Sequence, residues 1–228
     1  MAWGTARPAS PGLSAGSAGY LCFMAETITL GSTAGYLATP EKGAGPALIV
    51  ITDADALPEH ARDVCERFAD EGFTALAPAV QNGSAATDLV AAIEFLEPHP
   101  AVRGQGVGVV GFGAGAELAL WLALHRPDDV AAVVPYYRAM PAGAAAVDWS
   151  RLAAAVQAHF GEDDPGSPPE ALARLESTLA EGGVGAEVFV YPAVGASFFD
   201  DSRSDAYVED AARQAWIRTL EFLRRHLG

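Results

Sequence analysis

The sequence has a single lysine, Lys42, and two cysteines, Cys22 and Cys65. Positive charge is scarce: 14 Lys and Arg face 29 Asp and Glu, for a formal net charge of −15 and a pI near 4.5. Nucleic acid and anionic membrane surfaces repel such a chain at long range, so neither is expected as a partner. The lone lysine, with abundant alanine, reads as GC-rich codon usage and carries no functional signal. Cys22 lies in a stretch with no folding pattern, which leaves little basis for a disulfide and favours a reducing cytoplasm. No apolar run reaches the ~18 residues that a membrane span needs. Residues 1–23 lack the n-region and h-region of a secretory signal, and are set aside as a leader or an early start. Residues 24–228 read as one domain.

What the chain does have is core material, since 50% of it is hydrophobic. Residues 26–30 and 35–39 alternate like two short antiparallel strands around a Gly31-Ser32 turn. Apolar runs follow at 47–51, 73–77 and 107–110, the pattern of strands buried on both faces, and further strands are read at 130–134, 155–160 and 188–191. Between them lie helical patterns: Pro58 to Gly72, then 86–96, 114–125, 169–180 and 206–227. A leading antiparallel pair and repeated strand-helix units predict an α/β fold. Its central sheet is mostly parallel, with helices on both faces.

The segment Gly111-Phe112-Gly113-Ala114-Gly115-Ala116 turns a buried strand sharply into a helix. Gly111, Gly113 and Ala116 match the dinucleotide fingerprint G-x-G-x-x-G/A. Gly111 and Gly115 match a nucleophile elbow, G-x-Ser/Cys-x-G, with glycine at its centre. A dinucleotide fingerprint follows the first strand and needs an acid at the tip of the next. Here several strands precede the motif, and the next one ends Val133-Val-Pro-Tyr-Tyr137. The elbow reading is adopted.

Several further stretches accompany the elbow in order: Gly35-Tyr-Leu-Ala-Thr-Pro40, His60-Ala-Arg-Asp-Val64, Gly72-Phe-Thr-Ala-Leu-Ala-Pro78, Ala158-His-Phe-Gly161 and Gly195-Ala-Ser-Phe198. Together they cover nearly the whole domain, which resembles the dienelactone hydrolases. The resemblance implies an α/β-hydrolase fold and the opening of small lactones or esters by a Cys or Ser nucleophile, an Asp and a His. It places Gly113 at the nucleophile position, Ala196 at the base and Asp164 at the acid. It puts Asp53 where the family keeps an acidic residue after the third strand. The family's substrate-binding arginines find no clear counterpart; Gln81-Asn82 lies near where one belongs.

A serine or thiol attacks only when a base takes its proton. With Gly113 and Ala196 in those places, hydrolysis by the family mechanism is expected to be absent. The remaining catalytic candidates are Asp53, Asp55 and Asp164, carboxylates at strand ends where such sheets bind ligands. Tyr136, Tyr137, Ser197 and Phe198 are candidate substrate-binding residues. Asp55 reads equally as a helix cap, Asp164 as a solvated relic of the triad, and the aromatic residues as core packing. His60 is expected to pack or cap, His159 to sit at a strand edge, and Cys65 to fill core. No metal is expected, because no ligand-loop spacing is present, and with the dinucleotide reading set aside no cofactor is expected either.

A leading functional reading and its alternatives follow. In the first, the protein binds a small organic ligand and performs non-hydrolytic acid/base chemistry: cyclisation, elimination or isomerisation. In the alternatives, it is a non-catalytic ligand- or partner-binding protein, or a hydrolase inactivated by mutation. A cytoplasmic monomer or homodimer is expected in every case.

Overall fold

A computed structural model describes residues 23–41, 43–52, 57–81, 83–138 and 148–228. Cys22, Asn82, Asp53 and Asp55 therefore lie outside the described residues. Strands β1 (Phe23–Leu30) and β2 (Thr33–Pro40) form an antiparallel hairpin in which Leu30 faces Thr33. The two-residue turn between them needs a positive φ, which Gly31 supplies at 58°. Next come β3 (Gly45–Ile51), α1 (Glu59–Asp70), β4 (Thr74–Pro78), α2 (Ala85–Leu96), β5 (Val102–Phe112) and α3 (Ala114–His125). The chain continues through β6 (Val130–Tyr136), β7 (Ala155–Gly161), α4 (Pro169–Glu181), β8 (Ala186–Tyr191) and α5 (Glu209–Leu227).

The eight strands form one sheet in the order β1-β2-β4-β3-β5-β6-β7-β8. β1 and β2 run antiparallel; every pair from β4 onward in that order is parallel. This is the α/β-hydrolase arrangement. Alternation along the strands divides the core between two faces. Ala47, Ile49 and Ile51 of β3 pack with Leu89 and Ile93 of α2, Leu120 of α3 and Leu175 of α4. Leu48 and Val50 pack on the other face with Val64 and Phe68 of α1 and Phe222 and Leu223 of α5. All seven residues of β3 are buried, hence its unbroken apolar run. Each such Leu, Ile or Phe contributes roughly 1.5–3 kcal/mol by leaving water. Cys65 is a free, fully buried thiol on the inner face of α1, as the apolar positions around it predict.

Three elements depart from the sequence expectation. β5 starts at Val102, but its residues 103–106 are exposed and the register slips there, so no apolar pattern announces them. α5 starts at Glu209, because Val208 is held extended while its N–H donates to the Phe198 carbonyl. His159 lies in β7 between β6 and β8 and is fully buried, not at an edge.

Candidate functional site

The chain turns from β5 into α3 within one residue. Gly113 stands at that point with φ 58° and ψ −119°, a conformation L side chains rarely adopt. Its N–H donates to the Tyr136 carbonyl, and its own carbonyl accepts from Ala116. The flanking glycines serve a different need, close approach. A Cβ at Gly111 would lie 2.4 Å from the Gly115 carbonyl oxygen, and one at Gly115 would lie 2.3 Å from that of Ile51. The helix start is thus pressed onto the ends of β3 and β5. This is elbow geometry, on an interior strand of the sheet, and β6 beside it ends at Tyr136 with no carboxylate.

Asp164 sits in the turn that leaves β7. It is 5% exposed. Its Oδ1 accepts the Gly166 N–H at 2.8 Å, while Oδ2 is buried and accepts no hydrogen bond from the described residues. The turn is clamped onto the loop after β8: Asp163 N–H donates to the Val194 carbonyl, and the space a Gly161 side chain would fill holds the Val194 and Gly195 oxygens. Ala196 is exposed in that loop. Its neighbour Ser197 has φ 63°, and its Oγ accepts from Arg203 at 3.0 Å.

Tyr137 joins these loops. Its φ is 73°. Its N–H donates to the His159 carbonyl, its carbonyl accepts from Ser167 Oγ, and its hydroxyl accepts the Phe199 N–H at 3.0 Å. One residue thereby ties the ends of β6, the Asp164 turn and the Ala196 loop together. Tyr136 is 1% exposed and Phe198 0%, so both lie behind the surface that a ligand would touch. Of the four candidate substrate-binding residues, only Ser197 is partly exposed, and Tyr137 is buried at 7%.

Below the strand ends runs a polar network. His159 Nδ1 meets the Tyr191 hydroxyl at 3.0 Å, and its Nε2 meets Gln157 Oε1 and Thr219 Oγ1, each at 3.1 Å. Tyr136 adds its hydroxyl to Thr219 at 2.7 Å. Burial, and then the Arg218 charge, push the His159 pKa down to about 3, so the ring is neutral. The ring is fully buried beneath the strand ends.

His60 opens α1 and packs edge-on against Phe112 and Phe199. Its Nδ1 is 3.4 Å from Asp200, and burial lowers its pKa while Asp200 partly offsets that. Ligand atoms of His60, Asp200 and Asp201 lie within 4.8 Å of one another. Arg67 already bridges Asp201 and Asp63, so positive charge is supplied there by the protein itself. Sequence reading missed Arg203, Asp200 and the joining role of Tyr137. The only signal was a polar stretch, Asp200-Asp-Ser-Arg203, close to Ala196.

The dienelactone hydrolase family matches this chain over residues 33–88 and 80–227, and the chain belongs to that family. Among relatives, it is 29% identical over 218 residues to Protein usf of Aquifex pyrophilus, covering 85% of this chain and 93% of that protein. It is also 29% identical to a Synechocystis sp. protein with the provisional name carboxymethylenebutenolidase, covering 85% and 92%. A dienelactone hydrolase-like promiscuous phosphotriesterase from metagenomic libraries superposes with a TM-score of 0.77 at 23% identity, covering 92% of this chain and all of that one. The last comparison establishes the fold alone. Among the described residues, no helix is long and apolar enough to cross a membrane.

Proposed function

We propose that this chain binds a small organic ligand at the carboxyl ends of its strands and does not hydrolyse esters through a covalent intermediate. Gly113 and Ala196 are then vacated nucleophile and base positions, and Asp164 is the remaining member of the triad. The carrying observation is the pairing of an elbow backbone, φ 58° and ψ −119° at Gly113, with a buried Asp164 whose Oδ2 accepts nothing from the described residues. In subtilisin, which uses the same triad logic on another fold, loss of nucleophile or base lowers turnover by on the order of 10⁶. The chemistry left to the site is acid/base: Asp164, with Asp53 and Asp55 from the segment after β3, would move protons in a cyclisation, elimination or isomerisation. The relatives' name makes a lactone or a related ester a reasonable shape for the ligand.

The test is hydrolysis of an activated aryl ester by the purified protein, against a heat-denatured control. The expected result is no rate above the control and no acyl-enzyme burst. A saturable rate with a burst would overturn the proposal. A non-catalytic binder gives the same null result; substituting Asp53, Asp55 and Asp164 by Asn separates the two once a ligand is found, by abolishing turnover and not merely binding.

A further inference from the structure

We infer that the outer face of α5 docks a second copy of this chain, the two helices running antiparallel about a two-fold axis at Ile217. The inner side of α5 is buried against the sheet and α1, through Ala212, Ala215, Trp216, Leu220 and Leu223 among others. On its outer side Asp210, Arg213, Ile217, Glu221 and Arg224 are all exposed. Their spacing of three, four, four and three residues holds them in one stripe along the helix. Ile217 lies at its centre, 43% exposed, one of four large hydrophobic residues left so open among the described residues. A single exposed isoleucine is ordinary. What sets this one apart is the charge on either side of it.

Outward from Ile217 the stripe is antisymmetric in charge. Arg213 stands four residues before it and Glu221 four after; Asp210 stands seven before and Arg224 seven after. In an isologous contact the same patch serves both subunits, so each position meets its counterpart across the axis. Antiparallel helices crossing at Ile217 set Arg213 opposite the partner's Glu221 and Asp210 opposite the partner's Arg224, with the two isoleucines between them. A parallel pair would instead bring each charge onto its own sign. A partner of one charge sign fits no better, because the sign alternates within the stripe. The surface that carries the reverse order is the same stripe turned round. Within one chain these groups are loosely engaged: Arg213 reaches Asp210 at 3.3 Å, Arg224 holds Glu71 at the surface, and Glu221 makes no ion pair among the described residues. Such exposed pairs contribute little, which leaves the groups open to a second partner. The net charge of −15 opposes association at long range. At about 0.15 M salt, however, charges more than ~8 Å apart are largely screened, and the local pattern decides.

The test is sedimentation velocity on the full chain at about 0.15 M salt, from about 1 to about 200 µM. The 23.6 kDa monomer is expected to shift toward a dimer as concentration rises. Ile217→Asp should weaken the dimer at least tenfold, and so should Arg213→Glu, which faces the partner's Glu221 with a like charge. Combining Arg213→Glu with Glu221→Arg restores opposite charges across the axis and should return the dimer to within threefold of wild type. All three variants change exposed side chains, so circular dichroism should show an unaltered fold. A wild type that stays monomeric throughout would overturn the inference, as would a dimer that Ile217→Asp leaves intact. A double variant no tighter than Arg213→Glu alone would overturn the antiparallel register. None of these outcomes touches the ligand site at the strand ends.

Discussion

His159 and Asp164 are buried ionisable side chains on one continuous strand and turn, yet they meet opposite surroundings. Each ring nitrogen of His159 has a partner, and those partners are bonded in turn: Thr219 to Tyr136, and Tyr191 to Arg218. Asp164 uses one oxygen and leaves the other without a donor among the described residues. A fully satisfied network rigidifies the scaffold, whereas a half-satisfied acid lowers stability until something completes it. The backbone divides in the same way. Among the described residues, positive φ at non-glycine positions is confined to Tyr137, Ala193 and Ser197, all in the loops above the sheet. Backbone strain at non-glycine positions among the described residues collects where function is expected, and the network below holds the platform still.

This contrast can be broken from below. His159→Ala removes a buried ring and strands the Tyr191, Gln157 and Thr219 partners. Urea denaturation should register a loss of about 3–5 kcal/mol; a loss under about 1 kcal/mol would mean the network holds little. An effect of comparable size comes from acid. Burial pushes the His159 pKa down to about 3 from an ordinary 6.5, so below 6.5 the unfolded chain takes up a proton that the folded chain refuses. The stability His159 confers is complete above pH 6.5 and is lost as pH falls toward 3, at about 1.4 kcal/mol per pH unit. Denaturation midpoints measured from pH 7 to 4 should flatten in His159→Gln relative to wild type; identical slopes would contradict this.

Above the sheet, Tyr137→Phe deletes the acceptor of the Phe199 N–H, and about 1–2 kcal/mol should be lost. Faster amide exchange at Phe199 would localise the effect, and unchanged exchange there would refute the joining role. The smallest change expected is at the surface. Glu71→Gln breaks an exposed pair with Arg224 and should cost no more than about 0.5 kcal/mol, a baseline for the other variants.

Much of the platform was legible in the sequence. The eight strands and five α-helices among the described residues were readable: β1 and β2 by alternation, interior strands by apolar runs such as 47–51, and the helices by a 3.6-residue period. The Gly111-to-Gly115 turn was legible because close approach and a positive φ admit glycine almost alone. The first half of β5 was not, since exposed residues 103–106 carry no periodicity. Nor was the environment of His159, whose partner Thr219 comes from α5 far along the chain. Hydrogen bonds between distant segments have no local spacing to betray them. For Asp164, the sequence offered a solvated relic as one reading; the structure instead buries the acid at 5% exposure.

The most direct test of the account is the double variant Gly113→Ser with Ala196→His, assayed beside wild type on an activated aryl ester. The elbow backbone already holds the angles a nucleophile there must adopt, and Asp164 Oδ2 has no hydrogen-bond partner among the described residues. The account predicts saturable hydrolysis in the double variant at least about a hundredfold above wild type, and neither single variant approaching it. A folded double variant with no such gain, or a wild type that already hydrolyses the ester through an acyl-enzyme, would contradict it.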